Sequence, residues 1–365
     1  MMTQLLFLAL VTTVVTSVQA ALISNNTPTL HIFGNSLSDV GTLKELTMSM
    51  IPSKPYWKGR FSSGPVWNEY LAKLLDYNLY NKAVGGFTSD NFNSGLLDFL
   101  PIPLPIPISI PSTQDQINNF KSKNPKYKLS YTVEKDIVVL EIGANDFFAE
   151  IINISTNKFA LSSFVETLSN SVVSQLEQLR SIGFKNIIVT NLAAIQFTPF
   201  ADILHLESLV NTTVHQYNDQ LTSKVNEWAS EALDLTSFSI ADIGGFVETT
   251  VNSEAIANAL GLTSVSTSCV GGNTLNLLQA DNKLLALMKL IFDAKENLMC
   301  ADPSKSYFFD FVHPGEKITR LFGYYTKELI DAVNSSEQIS MTEDNLLNII
   351  NKYSLGSPVA KPVQI

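Results

Sequence analysis

A serine directly after an apolar run is the first residue of this chain whose position suits nucleophilic chemistry. The run from Leu30 to Phe33 predicts a short buried strand that stops at Gly34, and the polar residues after it include Ser36 and Ser38. A glycine permits a tight turn, so the Ser36 hydroxyl would stand beyond a strand's carboxyl end, where backbone N–H groups can converge. The stretch alone is equally consistent with an ordinary strand-to-helix turn in which a serine caps the helix.

A serine attacks esters when a base, an acid that orients the base, and donors for the oxyanion surround it. Of the 4 histidines, His31 lies inside the first strand and is expected to be a core residue, while His205 and His215 lie on a long predicted helix. His313 differs because Asp310 precedes it on the same loop and could accept from its Nδ1–H. Asp310 and His313 are therefore candidates for the acid and the base, although this spacing is common in proteins.

Strands alternate with helices along the chain, and this alternation predicts a parallel sheet covered on both faces. Strands are predicted at 30–33, 77–84, 136–142, 186–191 and 238–242, and helices at 66–75, 161–182, 204–233, 244–299 with a Gly/Ser-rich interruption at 264–273, 314–333 and 342–353. The fold class is α/β, a flavodoxin-like three-layer α/β/α arrangement with a five-stranded parallel sheet. If the strand order is the flavodoxin-like 2-1-3-4-5, the ends of strands one and three flank the ligand crevice, which would place Ser36 beside Asn145.

Four motifs occur in the order and rough spacing of the GDSL, or SGNH, hydrolases. They are FGNSLSD at 33–39, the glycine pair within NKAVGGFT at 81–88, GAND at 143–146 and DFVHP at 310–314. The phrase GRFSSGPVW at 59–67 also resembles one found in secreted members of that family. The resemblance covers about residues 30–333 and implies the SGNH hydrolase fold and a serine ester hydrolase that needs no metal and no cofactor.

The resemblance also implies a role for each motif residue. Ser36 would be the nucleophile, His313 the general base and Asp310 the residue that orients the base. The backbone N–H of Ser36, that of Gly86 and the side-chain amide of Asn145 would form the oxyanion hole.

Two positions need a choice or differ from the family pattern. Gly85 competes with Gly86 for the second oxyanion donor, and Gly86 is preferred because it stands two residues before Thr88, as in the family's pattern. The family's aspartate before the serine is Asn35 here. The lost charge could alter the hydrogen bonds of the loop or the pKa of His313.

Composition and the chain start indicate an exported protein of acidic character. The chain is 45% hydrophobic with a formal net charge of −10 and a sequence pI of about 4.9, and it has no basic cluster. We therefore expect no nucleic-acid partner. Residues 1–20 resemble a signal peptide cleaved after Ala20, which predicts a secreted, extracellular protein. We expect a hydrolase domain at 21–336 and a C-terminal extension at 337–365.

The sequons and cysteines agree with export. Four Asn-x-Ser/Thr triplets, at Asn25, Asn153, Asn211 and Asn334, are candidate glycosylation sites. Cys269 and Cys300 are the only cysteines and lack metal-ligand spacing. In an oxidising compartment a disulfide between them is favoured, with two buried free thiols as the alternative.

These observations predict a monomeric secreted ester hydrolase that acts through an acyl-enzyme on lipid or other carboxylic esters. The proline-rich apolar segment 100–111, expected as polyproline II, could form a wall for an acyl chain and touch a lipid interface transiently. The aromatic loop 56–61 could instead stack on sugars, which would favour a carbohydrate acetyl esterase. A third hypothesis, indicated by Asn35, is a catalytically silent protein that keeps the SGNH fold for binding.

Overall fold

The computed structural model describes residues 27–90, 112–130, 132–272, 275–292, 294 and 298–356. The expected signal peptide, the sequon at Asn25 and the proline-rich segment 100–111 lie outside these residues. The central sheet contains five parallel strands: β1 Thr29–Gly34, β2 Asn78–Asn81, β3 Ile137–Glu141, β4 Asn186–Thr190 and β5 Ser237–Ala241. Their order is β2-β1-β3-β4-β5, which confirms the predicted fold class and strand order.

The inner strands β1, β3 and β4 are almost wholly buried because helices cover both sides of the sheet. The helices are α1 Thr42–Leu46, α2 Trp67–Leu75, α3 Thr113–Lys123, α4 Ala144–Thr156, α5 Lys158–Ile182, α6 Pro199–Leu204, α7 Glu207–Glu231, α8 Ile243–Asn252, α9 Glu254–Leu260, α10 Leu275–Gln279, α11 Lys283–Phe292, α12 Glu316–Asn334 and α13 Glu343–Lys352. Leu30 and Ile32 pack into the layer that contains α2, α8, α9, α12 and α13. Phe33 packs into the opposite layer with α3, α4, α5, α7 and α11. The period-two alternation of β1 therefore divides its side chains between two cores.

The C-terminal helix belongs to the first of these layers. Leu346, Ile349 and Ile350 of α13 are buried in the core cluster that contains α9 and α12. Within the part of the chain that is described, no helix is long and apolar enough to cross a membrane.

Two predicted helix boundaries are wrong. The helix expected at 204–233 is broken because His205 adopts a left-handed conformation, with φ of 53°, and ends α6. The helix expected from Pro314 begins at Glu316 with Gly315 at its N-cap, since Pro314 instead forms an isolated bridge with Phe308.

A second, two-stranded sheet lies where the sequence predicted a helix with an interruption. β6 Ser264–Ser268 pairs in parallel with β7 Ser306–Phe308. The strand was missed because its residues, SVSTS, are mostly polar and partly exposed, and they show no apolar alternation.

The cysteines following β6 form the disulfide Cys269–Cys300, and free thiols are excluded. The Cys269 N–H donates to the carbonyl of Phe308 at 3.1 Å, and the Val270 N–H donates to that of Phe309 at 2.7 Å. The disulfide therefore braces the chain that runs directly into Asp310.

Replacing both cysteines by alanine should lower the free energy of unfolding by about 3–4 kcal/mol, because the cross-link closes a loop of roughly thirty residues in the unfolded chain. The measurement is denaturant unfolding of the oxidised protein and of the double variant. Equal unfolding midpoints would contradict this expectation.

Candidate active site

The turn after β1 presents Ser36 at the carboxyl end of the sheet. The backbone N–H of Asn35 donates to Glu141 Oε2 at the end of β3 (3.3 Å), and the Asn35 side chain accepts from the Leu37 N–H at 3.1 Å. Gly34 is required here because a Cβ would lie 2.8 Å from the carbonyl oxygen of Glu141. The turn is thus held tightly against β3, and Ser36 follows it directly. We call residues 35–38 the nucleophile turn.

Ser36, His313 and Asp310 form a continuous hydrogen-bonded chain. His313 Nε2 lies 2.7 Å from Ser36 Oγ, and His313 Nδ1 lies 2.7 Å from Asp310 Oδ2. Because the carboxylate is an acceptor, Nδ1 carries the proton and Nε2 is free to accept the serine proton. The three side chains are buried. The fold brings the serine and the histidine into contact although 277 residues separate them in the sequence.

Four donors surround the Asp310 carboxylate. Oδ1 accepts from the backbone N–H groups of Val312 (2.9 Å) and His313 (2.8 Å), and Oδ2 accepts from the Tyr56 hydroxyl at 2.7 Å as well as from the imidazole. Burial acts to raise the pKa of Asp310, but the histidine and these hydrogen bonds outweigh it and hold the pKa below its usual value. The aspartate is therefore an anion that fixes the orientation of the imidazole.

Tyr56 is a site residue that the sequence did not reveal. It is 254 residues from Asp310 in the chain, so no local pattern could have connected them. Burial, followed by the charge of Asp310, raises the pKa of the Tyr56 hydroxyl well above its ordinary value, which keeps it protonated as a donor. Phe61 is also buried and packs on the His313 ring with 5.1 Å between centroids. The expectation that these two aromatic rings stack on sugars is therefore wrong.

Of the three expected oxyanion donors, Ser36 and Asn145 line the same pocket. The backbone N–H groups of Ser36 and Gly86 have no hydrogen-bond partner among the described residues, and Gly86 has φ of 85°, a conformation that favours glycine. The Asn145 amide donates one hydrogen to the carbonyl of Phe87 at 2.6 Å, which leaves its second hydrogen for a ligand.

Gly85, unlike Gly86, uses its backbone N–H in a hydrogen bond within the described part of the protein. Its N–H donates to Asp39 Oδ2 at 2.8 Å, and a Cβ at this position would lie 2.2 Å from the Phe61 ring. Asp39 also accepts from the N–H groups of Gly41 and Leu43. Asp39 thus ties the loop after β2 to the nucleophile turn, and Gly86 is the glycine whose N–H remains available.

An apolar pocket opens beside Ser36 and His313. Its walls include Phe148, Ile243, Phe246, Leu287, Ile291 and Phe322. Ser36, Asn145 and His313 line the same pocket. The pocket therefore offers an apolar group space next to the atoms that could perform acyl chemistry.

The remaining predicted residues lie away from this pocket. His31 is a buried core residue whose Nε2 is 3.7 Å from Asp136 Oδ2, and burial lowers its pKa. The sequon residues Asn153, Asn211 and Asn334 are exposed on helices. His215 is exposed on α7.

Two buried carboxylates of the site should make the protein less stable at alkaline pH. Burial raises the pKa of Asp39 to about 6 and that of Glu141 to about 7. A raised folded-state pKa favours folding below the unfolded pKa, and this contribution is lost as pH rises through 6 to 7. We expect the free energy of unfolding to fall by about 1–3 kcal/mol between pH 5 and pH 8.

Denaturant titrations at the two pH values measure this decline, and Glu141→Gln should reduce its slope because the amide does not titrate. Below about pH 4 the opposite trend sets in, because the pKa values of Asp310 and Asp136 are lowered in the folded state. A flat profile from pH 5 to 8 would contradict the expectation.

The fold and the site define a class: a serine, a histidine and an aspartate at the carboxyl edge of a doubly wound parallel sheet are the constellation of a serine ester hydrolase. The chain belongs to the GDSL-like lipase/acylhydrolase family, whose model matches residues 30–325. The chain is an ester hydrolase.

Relatives of known name span different parts of the chain. The chain is 28% identical over 225 residues to the phosphatidylcholine-sterol acyltransferase of Aeromonas hydrophila, an alignment that covers 59% of this chain and 59% of that protein. It is 24% identical over 315 residues to a GDSL esterase/lipase of Arabidopsis thaliana, covering 80% of this chain and 86% of the relative.

Among solved structures, the acetylxylan esterase Axe2 of Geobacillus stearothermophilus matches with a TM-score of 0.32 at 15% identity, covering 59% of this chain and 76% of that one. The fold assignment rests on the strand order described above and not on this overlap.

Proposed function

We propose that the protein is a secreted carboxylic ester hydrolase that cleaves lipid esters through an acyl-enzyme on Ser36. The observation that carries this proposal is the apolar pocket that opens directly onto the hydrogen-bonded chain of Ser36, His313 and Asp310. An acyl chain in this pocket would place its carbonyl carbon at the serine. An acetyl group would leave most of the apolar wall without a partner.

The residues divide the reaction between them. His313 Nε2 takes the Ser36 proton as Oγ attacks the ester carbonyl, and the carbonyl oxygen becomes an oxyanion that accepts from the N–H groups of Ser36 and Gly86 and from Asn145. The imidazolium, stabilised by Asp310, gives its proton to the leaving alcohol. Water then attacks the acyl-enzyme with His313 as base again, which releases the acid and restores the serine.

Exposed leucines near a helix that lines the pocket suggest how the protein would contact a lipid surface. Leu275 and Leu278 of α10 and Leu298 are 57%, 47% and 47% exposed, and the adjacent helix α11 supplies Leu287 and Ile291 to the pocket wall. Exposed leucines on a helix that contacts a pocket-lining helix favour transient contact with a lipid interface. The Aeromonas relative, named for a phosphatidylcholine substrate, is consistent with a lipid acyl donor.

A chain-length series of p-nitrophenyl esters tests the substrate class. We expect kcat/KM to rise from acetyl to medium or long acyl chains, and Val247→Trp, which fills part of the pocket, should shift the preference toward short chains by about tenfold or more. Val251→Trp, one turn along α8 and outside the pocket lining, is the matched control. A preference for acetyl esters in the unaltered protein would instead favour the carbohydrate acetyl esterase.

The same series separates the interface from the pocket. Leu275→Asp/Leu278→Asp should reduce hydrolysis of micellar long-chain esters and spare monomeric short ones. Leu233→Asp, an exposed leucine that precedes β5 at the opposite edge of the sheet, is the control. Equal loss on monomeric and micellar substrates would argue against interfacial contact.

Secretion is part of the proposal and is supported by the signal-like residues 1–20 and by the disulfide. N-terminal sequencing of protein collected from the medium of an expressing cell should begin at Ala21. Retention of the whole product inside the cell would contradict it.

A further inference from the structure

A buried carboxylate lies directly beside the nucleophile turn, outside the chain of Ser36, His313 and Asp310. Glu141, the last residue of β3, is only 3% exposed. Its Oε2 accepts from the Asn35 N–H at 3.3 Å and from the Ser38 hydroxyl at 3.0 Å. One oxygen of Glu141 therefore holds the turn on both sides of Ser36.

The Asn35 side chain faces the same carboxylate. Asn35 is fully buried, its Oδ1 accepts from the Leu37 N–H, and its Nδ2 has no hydrogen-bond partner among the described residues. The nearby amide contributes to lowering the pKa of Glu141 against the larger, opposite effect of burial. The amide of Asn35 therefore favours the ionised form of Glu141.

We propose that Glu141 is a positioning residue for Ser36. The buried space beside the nucleophile turn accommodates one carboxylate, and because Glu141 supplies it, residue 35 must be a neutral amide. An aspartate at 35 would have nearly the shape of the asparagine, and its second oxygen would replace Nδ2 beside Glu141. Two carboxylates that share a dry site cannot both ionise without strong repulsion. The exchange of the family's aspartate for Asn35 is then compensated on β3 and does not indicate a silenced site.

On the side of the histidine loop, the positive charge of His313 in its protonated form lowers the pKa of Glu141. Asp39, farther along from the nucleophile turn, is engaged by the N–H groups of Gly41, Leu43 and Gly85. Ser38, which donates to Glu141, itself accepts from Trp67 Nε1 at 3.1 Å, so the carboxylate is linked through one hydroxyl to α2.

The test is a cycle of four proteins: the unaltered chain, Asn35→Asp, Glu141→Gln and the double variant. Each single change should lower kcat about tenfold or more with little change in KM, because the acyl pocket is untouched. The loss in Asn35→Asp should grow above pH 7, where both acids ionise. The double variant, with one carboxylate moved to residue 35, should return to within a few-fold of the original kcat and lose the alkaline decline.

Thermal melting gives a readout that does not depend on catalysis. Asn35→Asp should melt about 5 °C lower at pH 8 than at pH 5 relative to the original protein, and Glu141→Gln in the same chain should remove the difference. Glu134→Gln, an exposed glutamate before the start of β3, is the control for a change of charge. If Asn35→Asp does not fold, Ser38→Ala is tested instead, because it removes one hydrogen-bond donor to Glu141. It should lower kcat several-fold and move the acidic limb of the kcat–pH profile to higher pH.

The inference rests on Ser36 as the proposed nucleophile, and the two can fail separately. If the original protein hydrolyses no ester, the proposed function is wrong while the melting data still decide on the charge exchange. If the protein is active and the double variant loses the product of the two single losses in both kcat and stability, the charge exchange is wrong.

Discussion

Ser36→Ala is expected to lower kcat/KM for ester hydrolysis by about 10⁴-fold or more and to leave the fold intact. The hydroxyl makes its hydrogen bond to His313 Nε2 at 2.7 Å, and no other described hydroxyl occupies that place. The alanine variant keeps the N–H groups of the oxyanion hole, so it should still bind substrate. Steady-state kinetics with a short p-nitrophenyl ester measure the loss.

Ser38→Thr is a useful comparison because its hydroxyl is two residues away and binds Glu141 rather than His313. It should retain most of the activity, since threonine keeps the donor. An active Ser36→Ala protein would overturn the mechanism. An inactive original protein with an intact fold would instead favour the binding hypothesis.

Asp310→Asn should lower kcat by about 10³–10⁴-fold, although the side chain keeps its size. The backbone N–H groups of Val312 and His313 both donate to Oδ1, so the remaining carbonyl oxygen of asparagine would face them. Its NH₂ group would then point at His313 Nδ1 and donate to it. The imidazole would carry its proton on Nε2 and could not accept from Ser36.

Tyr56→Phe distinguishes the change of the His313 tautomer from the loss of a single hydrogen bond to Asp310. It removes the 2.7 Å donor to Asp310 Oδ2 and leaves the imidazole bond in place, so we expect a loss of only about tenfold or less. If Asp310→Asn kept more than a tenth of the original kcat, the orienting role of the aspartate would be wrong.

The fold was predictable where periodicity and motif agreed. Apolar runs placed β1, β3 and β4 nearly to the residue, and the alternation with helices predicted a parallel sheet, whose order in the structure is the flavodoxin-like one. β6 could not be predicted, because a short polar strand is stabilised by its pairing with β7 more than by its own side chains.

For the site, the sequence motifs identified Asp310 and His313, which the structure joins to Ser36 by hydrogen bonds, and local composition could reveal little of what holds them. Tyr56 and Glu141 contact site residues that are 254 and 106 residues distant in sequence. Tyr56 stands in no pattern that marks it as polar and buried, whereas Glu141 lies within the predicted strand 136–142, and only the contact of Glu141 with the turn after β1 needed the fold. The motif already favoured Gly86 over Gly85, and the fold adds the physical reason, because the Gly85 N–H donates to Asp39.

The distance in sequence between Ser36 and His313 has a consequence for the order in which the protein acquires activity. The serine directly follows the first strand of the sheet, and the histidine follows β7, the last of the described strands to be synthesised. A chain that has left the ribosome only as far as β5 has its nucleophile without a base. Hydrolysis therefore begins only after the two ends of the domain have met, and in refolding the return of esterase activity would report that final closure separately from the recovery of helical signal.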